Sequence, residues 1–349
     1  MTRDDAPSAP VLIERRGRAL WLTLNRPAAL NALTHDMANT VQRALYDSIG
    51  DTAVDRVVIE GAGERAFCAG GDVVAMHAAG RAGPEGWEGF FRDEYRMNQT
   101  IARYPDPYVA ILDGVPMGGG VGLSIHGRYR VATERTLFAM PETAIGMIPD
   151  VGGTHALAKL PGQIGTWLGL TGARLKAADC LYAGIATHVV PVERLPLLRE
   201  LLGGDDPVEQ VLATLDTDPG EAPLAALRDA IDFHFAHDSV EAIVASLADG
   251  DDWARAQAAT LRAMSPTSLK LSLRAIRAAA GGTIESALRT EYRVVSRIRT
   301  GHDFYEGIRA LLIDKDKAPE WSPPTLAEVD DADLDAYFAA PASGDIDFD

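Results

Sequence analysis

The chain has 349 residues, of which 47% are hydrophobic, and 50 Asp and Glu against 33 Lys and Arg give a formal net charge of -17. That length bounds it to one large domain or a domain with an appendage, and the acidic excess argues against nucleic acid or anionic membrane as partners, since phosphate binding needs a cationic face. Only two cysteines, Cys68 and Cys180, occur, which excludes a disulfide framework and points to a reducing, cytoplasmic setting.

The opening "MTRDDAPSAP" is polar and lacks the apolar core of a signal peptide, so residues 1–10 read as a disordered lead-in. No apolar run reaches the roughly 18 residues of a membrane span. "VLIERRGRALWLTLN" predicts two strands joined by a tight turn at Arg16-Gly17. Thr34 then caps a helix to about Ser48, with Met37, Val41, Leu45 and Ile49 near helical spacing. "RVVIEGAG" predicts a short buried strand, helical periodicity returns from Trp87 to Ala102, and "YVAILDG" predicts another buried strand. "VPMGGGVGLSIHG" reads as a loop opening a helix, and "YRVAT" and "TLFAM" as short strands. Strand and helix signals thus alternate over 11–190, and 191–321 is almost wholly helical. The tail, 322–349, is acidic and Pro-rich at its start; it reads as loosely ordered, with Tyr337 and Phe338 as a docking point. No fixed-length repeat is legible, although a strand–strand–helix rhythm recurs.

Three stretches carry candidate chemistry. In "ERAFCAGGDV" a strand gives way to Ala-Gly-Gly, where glycine permits turns that aim consecutive N–H groups at one point; a plain Gly turn is the competing account. In "MGGGVGLSIHG" three glycines open a helix and allow close approach of a ligand to the backbone. The dinucleotide fingerprint fails there, because its third Gly would fall at Leu123, and no Gly-Lys-Ser/Thr follows to make a phosphate loop. In "FAMPETAIGMIPDVGG" two acids, Glu142 and Asp150, stand among apolar residues, Gly, Pro and Thr. Asp150 as a cap of a helix from Val151, and Glu142 in a first helical turn after Pro141, are the bland alternatives. Ser124 and His126 lie two apart and point away from each other on a helix, and His234 and His237 lack a third ligand, so neither a Ser/His site nor zinc is indicated.

In this order, "NRPAALNAL", "AFCAGGD", "DGVPMGGGVGL" and "FAMPETAIGMIPDVGG" resemble the crotonase (enoyl-CoA hydratase/isomerase) superfamily. "LTGARLKAADCLYAGIATHVV", "MSPTSLKLSLRAI" and "FYEGIRALLIDKDKAPEW" narrow the resemblance to the 3-hydroxyisobutyryl-CoA hydrolase subgroup, from about Val11 into the tail. The resemblance implies an α/β fold, a spiral of strand–strand–helix turns carrying the CoA and catalytic site, followed by a helical region that covers the site and serves oligomerisation. It implies that the amides of Gly71 and Gly119 form an oxyanion hole, each such donor being worth about 3 kcal/mol of barrier. Glu142 and Asp150 are the implied catalytic acids. Glu94 is implied to bind the substrate hydroxyl; Arg26, Ala66, Cys68, Ala69 and Gly70 are implied to line the CoA path, with Lys315 and Lys317 near its nucleotide end. Hydratases of the superfamily carry a further glutamate two residues after the Gly triple, where this chain has Gly122; half of their acid pair is missing.

The expectation is therefore hydrolysis of a 3-hydroxyacyl-CoA thioester, most specifically 3-hydroxyisobutyryl-CoA in valine breakdown, without metal or redox cofactor. Hydration or isomerisation of an enoyl-CoA by Glu142 alone is the rival chemistry, and an inactive acyl-CoA-binding subunit the rival class. A homo-oligomer, trimer or dimer of trimers, is implied by the superfamily.

Overall fold

A computed structural model describes residues 9–82 and 87–348; most of the expected lead-in, residues 1–8, lies outside them. Within that span the chain starts with β1 (Val11–Arg16) and β2 (Ala19–Leu24), then α1 (His35–Ser48), β3 (Arg56–Gly61), α2 (Val73–Ala82), α3 (Trp87–Arg103) and β4 (Tyr108–Leu112). A single turn, α4 (Gly119–Gly122), precedes β5 (Tyr129–Ala132), α5 (Gly153–Ala158), α6 (Ile164–Thr171), α7 (Ala177–Ala183) and β6 (His188–Val189). Only helices and turns follow: α8 (Leu195–Leu202), α9 (Val208–Leu215), α10 (Pro223–Phe235), α11 (Val240–Ala248), α12 (Asp252–Ala263), α13 (Pro266–Ala279), α14 (Ile284–Ile298), α15 (Asp303–Ile308) and α16 (Asp331–Phe338).

The six strands form one sheet in sequence order. β1 and β2 are antiparallel and every later pair is parallel. Parallel strands are covered on both faces and so read as continuous apolar runs, as "RVVIE" and "YVAIL" do. Alternation assigns their side chains: Leu22, Val57, Ile59 and Ala110 face α1 through Met37, Val41 and Leu45, while Trp21, Val58, Val109 and Val131 face Leu198 and Leu202 of α8 and Leu212 of α9. At the start of α1, the Thr34 hydroxyl accepts from the Met37 amide at 3.3 Å, as its N-terminal pattern predicts.

The second strand expected in each turn of the spiral shrinks to an isolated bridge. Leu33 pairs with Gly71, Cys68 with Pro116 and Met117 with Ala139, all parallel, and Phe138 pairs antiparallel with Leu175. "TLFAM" is thus two bridges rather than a strand, since one or two hydrogen bonds per turn suffice to stack the spiral. These bridges lock together the two Gly clusters and the segment bearing Glu142.

The largest core cluster joins α3 and residues 138–189 to the C-terminal helices, so the helical half shares its interior with the spiral. The tail does not remain loose. Ile346 is buried, the Asp345 carboxylate accepts from Arg293 Nε at 2.7 Å and Nη2 at 2.6 Å, and Arg96 Nε donates to the Asp347 carbonyl at 3.0 Å. The Phe338 ring lies under the Arg274 guanidinium, 4.3 Å away, so the docking expected there is present. Acidic composition misled because the tail's counter-charges sit on α3 and α14, far away in sequence.

Candidate active site

Strand β3 leads into Ala66–Asp72, and hydrogen bonds pin that segment on either side of the Gly70 and Gly71 amides. Ala69 N–H donates to Leu30 O, Leu33 N–H to Gly70 O and Asp72 N–H to Leu33 O, at 2.8–3.0 Å. Across from it, β4 leads into the Gly triple, where Met117 N–H donates to Cys68 O and Gly120 N–H to Met117 O. Gly70 at φ +109° and Gly118 at φ +48° make the two sharp bends, in a region that favours glycine. The amides of Gly71 and Gly119, like those of Gly70 and Gly118 before them, donate to no carbonyl or side chain among the described residues. Gly71 and Gly119 lie close together, beside the buried acids. A Cβ on Gly119 would stand 3.2 Å from the Gly71 nitrogen and 2.7 Å from Glu94 Oε1, and one on Gly118 would stand 3.3 Å from Glu142 Oε1.

A cavity of about 470 Å³ opens over these amides, and Gly71, Gly119, Glu94, Glu142 and Asp150 all line it. Ala69 and Gly70 line it too. The rest of the wall is chiefly apolar, with Phe90 and Phe91 of α3, Met147, and Leu311 and Leu312 from a single π turn after α15. Arg174, exposed, also reaches this wall.

The three acids are buried and nearly without donors. Glu142 begins a 3-10 turn, Glu142–Ile145, and its Oε2 has no protein partner among the described residues; the same is true of Glu94 Oε1. Burial, then the neighbouring Asp150 charge, hold the Glu142 and Glu94 carboxyls well above the usual carboxylate range. Burial also raises Asp150, to about 6, although the Tyr95 hydroxyl donates to its Oδ2 at 2.7 Å and partly offsets the rise. Asp150 is not a helix cap: α5 begins at Gly153, beyond its reach as an N-cap, and the amides at that end are held by another acid.

That acid, Glu291 of α14, is absent from the sequence reading. Its Oε2 accepts from Gly152 N–H at 2.7 Å and its Oε1 from Thr154 N–H at 3.0 Å, and the Thr154 hydroxyl donates to it as well. Burial carries its carboxyl to about 8 against the pull of these donors. The signal was present: Glu291 follows Ala287 and Leu288 by four and three residues on a helix face that is otherwise apolar and buried. Next to Asp150, Val151 is held at φ +57°, an uncommon conformation for a β-branched residue. The His126 ring hydrogen-bonds its carbonyl at 2.8 Å, and burial lowers that imidazole to about 4.

Gly122 is closed to a longer side chain. A Cβ there would stand 2.7 Å from Asn98 Nδ2 and 2.7 Å from the Val151 Cβ, so a glutamate has no room without displacing both.

Three expected contact residues are not among those lining the cavity. Arg26 is occupied by the Ala32 carbonyl at 2.6 Å and by Asp72 at 3.1 Å. The Ala66 carbonyl accepts from Asn31 Nδ2 at 2.9 Å. Cys68 is fully buried, and burial pushes its thiol up to about 12, so it acts as packing. All three hold the glycine loop in shape. Lys315 and Lys317 are exposed, with φ of +60° and +56°, in the segment that follows Leu311 and Leu312. Among the described residues no group of three or more His, Cys, Asp or Glu is arranged to hold a metal ion.

A family model described as enoyl-CoA hydratase/isomerase matches residues 19–338. A curated Danio rerio protein named 3-hydroxyisobutyryl-CoA hydrolase, mitochondrial, is 48% identical over 341 residues, covering 95% of this chain and 89% of its own. The Homo sapiens protein of that name is 42% identical over 360 residues, covering 100% of this chain and 93% of its own. Among solved structures, a carnitinyl-CoA dehydratase from Mycobacterium thermoresistibile matches with TM-score 0.93 at 43% identity, over 97% of this chain and 98% of that one. An enoyl-CoA hydratase from Rhodobacter sphaeroides matches with TM-score 0.91 at 42% identity, over 97% and 100%. The mitochondrial names of the curated relatives overturn the expectation of a cytoplasmic protein. Two free thiols indicate reducing conditions, and that property does not single out the cytosol.

Proposed function

The chain belongs to the enoyl-CoA hydratase/isomerase family, and from that premise we propose that it hydrolyses a 3-hydroxyacyl-CoA thioester, 3-hydroxyisobutyryl-CoA by the names of its relatives. The observation that carries the reading is the pair of undonated amides at Gly71 and Gly119 beside a buried Glu142. A thioester oxygen accepting from both amides gains charge as its carbonyl is attacked, and fixed donors in a site shielded from water stabilise that charge. The Glu142 carboxylate either attacks the carbonyl carbon, giving a mixed anhydride that water then opens, or takes a proton from the water that attacks. In both routes the C–S bond breaks, the CoA sulfur leaves as thiolate and is protonated, and the acyl group gains the water oxygen. Asp150, raised to about 6, assists the proton transfers, and Glu94 accepts from the substrate's 3-hydroxyl. Water is the only co-reactant, so the reaction calls for no redox cofactor, and the acids and amides named here supply the proton transfers and charge stabilisation that a metal would otherwise provide.

The solved relatives described as hydratase and dehydratase favour a second reading, water addition or removal across a double bond. The crowding at Gly122 by Asn98 and Val151 weighs against it, because two acids must share the water in that reaction and one is missing. Incubation with 3-hydroxyisobutyryl-CoA and a thiol reagent separates the readings. Free CoA that appears with wild type and not with Glu142→Ala supports hydrolysis. A change in enoyl absorbance without free thiol supports the second reading, and a thioester that binds and survives for hours supports an idle binding subunit. The proposal extends to assembly as a homo-oligomer, for which Phe233, 68% exposed on α10, and Tyr182 on the neighbouring α7 offer apolar surface; a single-chain mass by light scattering counts against it.

A further inference from the structure

A second cavity, of about 370 Å³, opens where α5, the end of α3 and the start of α14 meet. Arg103, His126, His155 and Lys159 line it, together with Gly282, Thr283 and Ile284, and no Asp or Glu of the described residues is in its wall. It shares no lining residue with the catalytic cavity. In a chain of net charge -17, four basic side chains around one space without an acid among them call for a reason.

The donors of this wall are largely unspent. His155 is only 8% exposed, yet neither ring nitrogen has a hydrogen-bond partner among the described residues. A buried polar group left so forfeits its hydration without return. The Lys159 ammonium, exposed, enters no ion pair or hydrogen bond among those residues either. Arg103 is already neutralised, since its Nε and Nη2 donate to Glu285 at 2.8 and 3.0 Å. The Thr283 and Ile284 amides donate to no acceptor among the described residues, and the 15-residue α14 starts there with the positive end of its dipole.

These groups also act on one another. Burial, then Lys159, lower the His155 imidazole, with Arg103 adding to the fall and Glu285 opposing it. Burial lowers His126 to about 4; the Val151 carbonyl opposes that fall, and His155, Arg130 and Lys159 add to it. A bound anion reverses both effects, because it favours the charged form of each ring.

We infer that this cavity is a second binding site, for a small tetrahedral dianion of the phosphate type, held by the Lys159 ammonium, His155 and the first amides of α14. The inference stands apart from the proposed reaction. Val151 lies between the two sites: it lines the catalytic cavity, and its carbonyl accepts from the His126 ring at 2.8 Å. The wall of the second cavity is therefore one hydrogen bond from the segment that carries Asp150.

The test titrates sulfate, a dianion at every pH used, into the full chain by calorimetry at constant ionic strength. Wild type is expected to bind one sulfate per chain, more tightly at about pH 6 than at about pH 8, and to take up protons as it does so. Lys159→Ala is expected to weaken binding at least about tenfold. His155→Gln, which keeps a donor and cannot take a proton, is expected to lose most of the gain at the lower pH. No saturable binding to wild type at about pH 6 overturns the inference, as does unchanged binding in a Lys159→Ala protein of wild-type thermal midpoint. Competition against sulfate separates the sources of the ligand. Displacement by inorganic phosphate assigns the site to a free ion, and displacement by adenosine 3′,5′-bisphosphate alone assigns it to the nucleotide end of a CoA. Displacement by neither overturns the assignment of phosphate chemistry.

Discussion

Glu142 and Asp150 keep Pro, Met, Ile and Gly for company in sequence, and in the fold they remain poor in donors: among the described residues Glu142 Oε2 has no partner and Tyr95 alone of the side chains donates to Asp150. Their ionisation follows from that. Burial raises Asp150 to about 6, and burial and then the Asp150 charge hold Glu142 well above the usual carboxylate range. As nucleophile or base Glu142 must be ionised, so kcat/KM rises with pH, with its inflection displaced well above the usual carboxylate range. Asp150→Asn removes one cause of the rise, and the limb should move toward acid; a limb that stays put or moves toward alkali contradicts the assignment. Glu142→Gln should lower kcat by about 10²–10⁴-fold, and Gly119→Ala, whose methyl would crowd Glu94 and the Gly71 amide, by about 10²–10³-fold, both with the far-ultraviolet spectrum unchanged. These residues were legible because acids in apolar surroundings and paired Gly turns are local anomalies. Glu291 and His155 were not, since each is an unremarkable letter until the helix face it occupies, and the partner or orphaned state of its polar atoms, are known.

At the scale of elements, the site depends on how α14 and α3 approach the loop 149–154. Glu291 ties two amides and a hydroxyl of that loop to α14, across 137 to 139 residues of sequence, a separation that no local pattern reports. Glu291→Ala leaves the Gly152 and Thr154 amides buried and unpaired, at about 1–3 kcal/mol each. The urea midpoint should drop accordingly and kcat should fall with it, as the Asp150 backbone loosens. Glu291→Gln keeps an acceptor and should lose less; equal midpoints for the alanine variant and wild type would show the loop to be held by other means. The strand–strand–helix rhythm was readable from apolar runs and turns. The reduction of each second strand to a bridge was not, because a one-residue pairing leaves no alternation to read.

At the scale of the whole molecule, the spiral and the C-terminal helices share one interior, and the tail closes it. Asp345 and Asp347 fasten to Arg293 of α14 and Arg96 of α3, with Ile346 buried between them, and α3 is the element that carries Glu94 and Tyr95. Removing residues 340–349 takes away the buried Ile346 side chain, a burial worth about 1.5–3 kcal/mol, and frees those two arginines. Chemical denaturation should show a loss of about that size and turnover should decline. A truncated chain with full stability and activity would mean that α3 needs no such brace. The tail's acidity suggested solvation, while its pairing with distant arginines became visible only in three dimensions.

The account turns on two main-chain amides polarising one carbonyl beside a buried acid. The most direct measurement is the infrared carbonyl stretch of a ¹³C=O-labelled 3-hydroxyisobutyryl-CoA bound to the Glu142→Gln protein, where turnover is slow enough to observe it. The stretch should move to lower frequency than in water, and move back when Gly119→Ala is added. A stretch at its solution frequency, or one indifferent to Gly119, would contradict the assignment of Gly71 and Gly119 as the groups that hold the reacting oxygen.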